Sequence, residues 1–301
     1  MKILEVSDLN KSYKEKQVLK NISFSINEGE IVALIGPNGA GKTTIMKIIS
    51  NLLKQDSGIV KIEGISAKDN LIEYLSKFSS VIETPSLYEM LSGYDNINFI
   101  RKINNISEEK MNNILSFINI GNSINDKVKN YSLGMKQRLA LGIQLMTEPK
   151  LLILDEPING LDPQGVIEFR EMIKKLASEN KMSILISSHI LSELEKVCSK
   201  ILFIKDGELI NDNYDKIQSY QTIILTVDNA KKVFHQVEKI EIVNEVKIIN
   251  NRIIIKIKAE DTSSLMNSLV NNKINYNNIE IVNNNNIEKA YNEFYLGGKY
   301  D

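Results

Sequence analysis

The sequence predicts a mixed α/β domain followed by a smaller α+β domain. Three observations carry this. Short apolar runs, IVALIG, LLILDEP, SILISSH and KILFIKDG, recur through residues 1–215, each bounded by turn residues, as strands buried on both faces of a parallel sheet are. Helix-like segments lie between them, so the strands are expected to be covered by helices. Near residue 215 the style changes. Asn, Ile and Val dominate, and the order becomes β-α-β-β-α-β, which is that of a ferredoxin-like fold. A length of 301 residues exceeds what one core organises, which agrees with two domains, 1–215 and 216–301.

The elements follow in order. KILEVSDL and NISFSIN alternate apolar and polar residues, as an antiparallel flank with one wetter face would. IVALIG is a buried strand, and the run from Ile45 to Ile49 is helix-like. Residues 85–147 interrupt the β rhythm with YDNINFIRKINN and SEEKMNNILSFINI and read as an inserted helical subdomain. Within it Ser107, followed by Glu108 and Glu109, marks a helix start: a hydroxyl cap, then acids at the positive end of the helix dipole. Beyond residue 215, TIILTVDN, EVKIINN, RIIIKIKAE and NIEIVNN read as strands, KKVFHQVEKI and TSSLMNSLVNN as helices, and a short terminal helix closes the chain. NNNN at 283–286 reads as a turn.

Composition bounds the function. Apolar content of 43% and charged content of 25% are those of a globular protein. Lys+Arg 37 against Asp+Glu 38 supplies no basic excess, so no nucleic-acid partner is expected. The single cysteine, Cys198, excludes a disulfide framework, points to a reducing compartment and reads as a small buried thiol. No apolar run reaches the ~18 residues of a spanning helix. The start, MKILEVSDLN, carries acids and no apolar centre, so it does not read as a signal peptide. The expected place is the cytosol, or the cytosolic face of a membrane through a partner.

Between the first buried strand and its helix stands GPNGAGKTT: Gly36, Pro37, Asn38, Gly39, Ala40, Gly41, Lys42, Thr43 and Thr44. It fits the phosphate-loop pattern GxxxxGK[ST]. Glycines let backbone N–H groups converge on an anion, and a helix N-terminus adds unpaired amides and dipole. Lys42 is expected to reach the β- and γ-phosphates and the Thr43 hydroxyl to ligate Mg²⁺. A metal needs a carboxylate, and LLILDE supplies Asp155 at the end of a buried strand, where ligands bind in open α/β sheets. Glu156, one residue on, is placed to polarise an attacking water.

With YSLGMKQRLALG (131–142), NGLDP and SSH in the same order, the chain resembles the ATP-binding subunits of ABC transporters over roughly residues 1–215. The resemblance implies an ATPase that uses ATP and Mg²⁺. Ser132 and Gly134 take the places of the Ser and second Gly of the family's LSGGQ signature, while Tyr131, Leu133 and Met135 depart from it. In the family the signature of one subunit completes the ATP site of another, which implies a homodimer or pairing with a similar subunit. His189 matches the switch histidine that contacts the γ-phosphate, Asp162 the loop that crosses the dimer interface, and Tyr13 the aromatic that stacks on adenine. Glu83 stands where most of the family has a Gln that ligates Mg²⁺ and links to the membrane subunit. VIETPSLYEMLSGYDNI, SLGMKQRL and the tail IEKAYNEFYLGG (287–298) are similar to ATPases of bacitracin-resistance, lantibiotic-immunity and multidrug exporters.

The resemblance therefore implies the motor of an efflux transporter with a separate membrane-spanning permease. The alternative is a soluble ABC ATPase acting on ribosomes or nucleic acid. Ribosome-acting relatives usually carry two cassettes in one chain, and this chain has one cassette with no long basic run; 85–131 is too short for the coiled coil of DNA-repair relatives. Residues 216–301 read either as a structural appendage or as a ligand-sensing module, and His235 has no context that gives it a role.

Overall fold

The computed structural model describes residues 1–188, 193–194, 196–210, 220–272 and 274–283. The chain divides into two compact units, Met1–Ile210 and Asn211–Asp301. The boundary drawn near 215, the tail 287–298 with its terminal helix, and 284–286 of the Asn run lie outside the described residues, as does His189.

Unit one is built on a six-stranded sheet. Its strands are β3 (Ile31–Ile35), β5 (Phe78–Val81), β6 (Leu151–Asp155), β7 (Ser183–Ser187), β8 (Lys200–Lys205) and β9 (Glu208–Ile210), in the order β5-β6-β7-β3-β8-β9. All neighbours pair in parallel except β8 with β9. β3, β6 and β7 are buried at every residue, which is why their sequences are near-continuous apolar runs. β9 returns antiparallel through Asp206-Gly207, both at positive φ, the two-residue turn that an Asp-Gly pair favours.

A second sheet, β2-β1-β4, is antiparallel: β1 (Lys2–Tyr13), β2 (Lys16–Asn27) and β4 (Ser57–Ile62). One apolar core joins the two sheets. Leu4, Val6 and Ile22 of the antiparallel sheet meet Ile45, Met46 and Ile49 of α1 (Lys42–Ile49), and these meet Val32, Leu34, Ile153 and Leu185 of the parallel sheet. The helix after the glycine loop is thus clamped on both sides, and the loop sits at a fixed place above the carboxyl ends of β3, β6 and β7.

α2 (Leu71–Ser76) precedes β5, and the helical segment then forms as the sequence predicts. It comprises α3 (Gly93–Ile103), α4 (Glu108–Ile118) and α5 (Leu133–Leu145). Each starts on a serine: Ser92, Ser107 and Ser132 accept from Asp95 N, Lys110 N and Met135 N. These helices have their own core of Ile97, Met111, Ile118, Val128, Tyr131, Leu139 and Met146. Gly142 permits the approach of α5 to α4, since a Cβ there would meet Ile118 Cγ2 at 2.5 Å. α6 (Pro163–Asn180) crosses from β6 to β7.

Unit two has β10 (Tyr220–Thr226), α7 (Ala230–Val237), β11 (Val243–Ile249), β12 (Arg252–Lys258), α8 (Thr262–Asn271) and β13 (Asn278–Asn283). The sheet order β11-β12-β10-β13, antiparallel throughout, is the interleaved βαββαβ arrangement of the ferredoxin-like fold. Ile223, Leu225, Ile253, Ile255 and Ile257 cover one face and pack on Val233, Val237, Leu265 and Leu269 of the two helices.

Candidate phosphate-loop site

β3 ends at Ile35, and the chain curls through Gly36–Gly41 before α1 begins at Lys42. Two glycines make the curl possible. Gly41 sits at φ +113, and at Gly36 a Cβ would lie 2.4 Å from Ile204 O. No side chain caps Gly41, so the first-turn amides of α1 are left to point at an external acceptor. Lys42 is buried, and its ammonium donates back to Gly36 O (2.7 Å) and Pro37 O (3.3 Å). Burial lowers its pKa, opposed by the nearby charges of Glu156 and Asp155. A desolvated ammonium resting on two carbonyls, in a loop of open N–H groups, is suited to exchange those carbonyls for phosphate oxygens.

The acidic half comes from β6. Asp155 is buried at its end, and Oδ2 accepts from the Thr43 hydroxyl at 2.7 Å. Oδ1 accepts from the Ser187 hydroxyl at 2.5 Å. Strand pairing explains the second bond: Asp155 and Ser187 are register partners at the ends of β6 and β7. Glu156 follows at φ +50, half-buried, with its N–H donating to Ser187 Oγ at 2.9 Å. Thr43 and Asp155 offer only hard oxygen donors, the set that suits Mg²⁺ shared with nucleotide phosphates.

Other expected residues stand further out. Glu83 is exposed, at φ +66, and its Oε1 bonds Lys47 Nζ of α1 at 2.6 Å. That bond is the main reason the Lys47 pKa is raised. Tyr13 closes β1 and is 48% exposed, with the Lys11 ammonium 5.6 Å from its ring centroid. Ser132 and Asp162 both serve as helix caps, with Asp162 accepting from Gly165 N at 2.9 Å. A Cβ on Gly134 would find nothing nearer than Leu161 Cδ2 at 3.8 Å, so the backbone there is open to an approaching group. Among the described residues no hydrogen bond joins Ser132, Gly134 or Asp162 to the loop 36–44. The structure therefore gathers Gly36–Thr44, Asp155 and Glu156 into one centre and leaves the α5 and α6 N-termini apart. Sequence reasoning assigned no role to Ser187 or Lys47; the signals for Ser187 were its place as the first residue of the SSH run and a hydroxyl at the end of an apolar strand.

Comparison with known proteins adds a second line. Residues 19–159 match the family described as "ABC transporter". The chain is 45% identical over 224 residues to the lantibiotic transport ATP-binding protein SrtF of Streptococcus pyogenes, covering 73% of this chain and 95% of that one. It is 40% identical over 211 residues to the bacitracin transport ATP-binding protein BcrA of Enterococcus faecalis, covering 70% and 68%. A solved structure described as the ATP binding subunit of an ABC transporter superposes with a TM-score of 0.63 at 30% identity, covering 71% of this chain and 92% of that one.

Proposed function

The chain belongs to the ABC transporter ATP-binding proteins, and from that premise we propose that it is the motor subunit of an exporter that expels antimicrobial peptides or antibiotics of the lantibiotic or bacitracin type. As a member of that family it binds and hydrolyses ATP. The observation that carries the reading is the convergence of Lys42, Thr43, Asp155 and Glu156 above the carboxyl ends of β3 and β6, in a chain 45% identical to a lantibiotic transport ATPase. The ATPase domain is taken as residues 1–215, with residues 85–147 as its helical part, and the accessory domain as 216–301.

The roles follow from the chemistry of each group. Amides of Gly36–Thr44 receive the nucleotide phosphates, and Lys42 leaves the carbonyls of Gly36 and Pro37 for the β- and γ-phosphates. Thr43 and Asp155 are the residues that would hold Mg²⁺, with Glu83 within the same reading as a further ligand. Mg²⁺, when bound, neutralises the phosphate charge that builds during transfer. Glu156 takes the proton of the attacking water, and His189 contacts the γ-phosphate. Tyr13 stacks on adenine with the ring face that Lys11 leaves. The open N-terminus of α5, with Ser132 and Gly134, grips the γ-phosphate of a second copy or similar subunit, and Asp162 lies in the contact between the two.

Among the described residues no helix is long and apolar enough to cross a membrane. The passage for the exported molecule then belongs to a separate membrane-spanning permease, which holds this chain at the cytoplasmic face. The test is capture from native membranes with Glu156→Gln protein and ATP, followed by export assays with cationic peptides and bacitracin-like antibiotics. We expect the variant to bind ATP, turn over very slowly and persist as a dimer with a multi-spanning membrane protein. Recovery of ribosomes or nucleic acid with no membrane protein would overturn the exporter reading.

A further inference from the structure

We propose that Ser187 is a positioning residue for ATP hydrolysis, with one hydroxyl that fixes both the Asp155 carboxylate and the Glu156 backbone; this rests on the roles given above to Asp155 and Glu156. The geometry is specific. Ser187 is fully buried at the end of β7. Its Oγ donates to Asp155 Oδ1 at 2.5 Å and accepts from Glu156 N at 2.9 Å. A hydroxyl has one proton to give and lone pairs to receive, so both bonds form at once and each orients the other.

The need for such an anchor is visible at Glu156. A non-glycine residue at φ +50 lies in a sparsely populated region and stays there only when its surroundings hold it. The Glu156 N–H is fixed by Ser187 through Oγ at 2.9 Å and the backbone O at 3.2 Å. This sets the direction in which the Glu156 side chain leaves the strand.

The Asp155 side of the bond matters when the site is filled. Its two oxygens are held by two hydroxyls, Thr43 on Oδ2 and Ser187 on Oδ1. Thr43 is the residue expected to turn its oxygen elsewhere on nucleotide binding. Ser187 has no such second duty, so it is the donor that keeps the carboxylate plane fixed through the cycle. A serine that served only to satisfy itself at a strand end would need one partner, not this bridge from the Asp155 carboxylate to the Glu156 backbone N–H.

The test uses the full chain with Ser187→Ala, Ser187→Cys and Ser187→Thr, beside Asp155→Asn and Glu156→Gln. Steady-state hydrolysis, nucleotide binding, Mn²⁺ affinity with a non-hydrolysable ATP analogue, and melting temperature are read together. Removing an outer hydrogen bond to a metal-binding carboxylate typically lowers affinity or activity by about 10–100-fold. We expect Ser187→Ala and Ser187→Cys to lower kcat and Mn²⁺ affinity by at least about 10-fold with nucleotide binding within about 3-fold. Ser187→Cys keeps the volume of the side chain, so it separates loss of the bond from loss of packing. Ser187→Thr retains the hydroxyl and should recover most of kcat. Parental kcat and Mn²⁺ affinity in the folded Ala and Cys variants, with only the melting temperature lowered, would overturn the proposal. Should Asp155→Asn and Glu156→Gln also keep parental turnover, the site reading itself fails; if those two lose turnover while the Ser187 variants keep it, only this inference fails.

Discussion

Replacing Gly41 by alanine should damage the loop in two separable ways. The first is conformational. Gly41 sits at φ +113 and ψ 2, outside the narrow left-handed basin open to residues with a Cβ. Holding alanine there costs about 1–3 kcal/mol. The second is steric. The new Cβ would stand 2.6 Å from Leu19 Cδ2 and 3.3 Å from Val18 O, and Leu19 is fully buried, so it has no solvent to turn into. Overpacking of that kind adds about 1–3 kcal/mol. Backbone relaxation relieves part of each, so a loss of roughly 2–4 kcal/mol is expected. For a domain of this size that lowers Tm by roughly 5–15 °C. Relaxation also swings the Lys42 amide away from the loop interior, so nucleotide affinity should fall. Thermal unfolding with and without Mg·ATP reads both effects. At a ligand excess of about 100 Kd the parent gains about 2.7 kcal/mol, whereas a variant with about 100-fold weaker affinity gains only about 0.4 kcal/mol. Gly39→Ala is the control, because Gly39 is at φ +81 with nothing within 4 Å of a Cβ and bears the conformational cost alone. A Gly41→Ala protein with Tm within about 2 °C of the parent and the same ATP stabilisation would refute this account of the loop.

Further outcomes are expected at three residues. Tyr74 is buried and its hydroxyl donates to Ile49 O at 2.5 Å, at the last turn of α1, so Tyr74→Phe should lower stability by about 1–2 kcal/mol in urea unfolding with unchanged slope; no loss would show the bond to be replaceable. Cys198 is half-buried as a residue, yet burial pushes its thiol from an ordinary 9.0 up to about 12, so alkylation of the native protein at pH 8 should be at least ~100-fold slower than that of the unfolded chain. Because the folded value is raised, the associated stability is complete below the unfolded value and declines as pH rises toward about 12; urea titrations on either side of pH 9 in the parent and Cys198→Ala would show whether that slope belongs to this thiol. Glu83→Gln removes the charge that faces Lys47 at 2.6 Å; it should keep ATP binding but change the Mg²⁺ dependence of turnover or its coupling to the permease, and parental behaviour in both would make the acid incidental.

Much of the fold was legible because its signals are local. Ser107 with Glu108 and Glu109 marks a helix start by a hydroxyl followed by acids, and it caps α4 by accepting from Lys110 N; the equivalent caps at Ser92 and Ser132 emerge only from the structure. The βαββαβ order of the second unit follows from alternation in RIIIKIKAE and its neighbours. Shorter elements gave no such signal. β5 is four residues, FSSV, with one buried, and α2 is a six-residue helix that leaves Leu71, Ile72 and Leu75 exposed, so neither shows a usable period. β4, the third strand of the antiparallel sheet, has a single run of six residues and, among the described strands, pairs with β1 alone.

The sequence by itself determined that a phosphate loop stands here, because its local backbone needs are met within nine residues: glycines that admit φ +81 and +113, and a helix that begins at Lys42. It also determined that a carboxylate would end the buried strand LLILD. Only the tertiary structure decided how these parts meet. Thr43 and Asp155 are 112 positions apart, and their 2.7 Å bond exists because β7 separates β6 from β3 and α1 is clamped between two sheets. The bridge from Ser187 to both acids depends on parallel register, and the Lys47–Glu83 pair on where β5 delivers its following loop. Local backbone preference is written in a few consecutive residues; strand order and register arise from burying many apolar faces at once, so the partners of a polar side chain become known only when the whole sheet is in place.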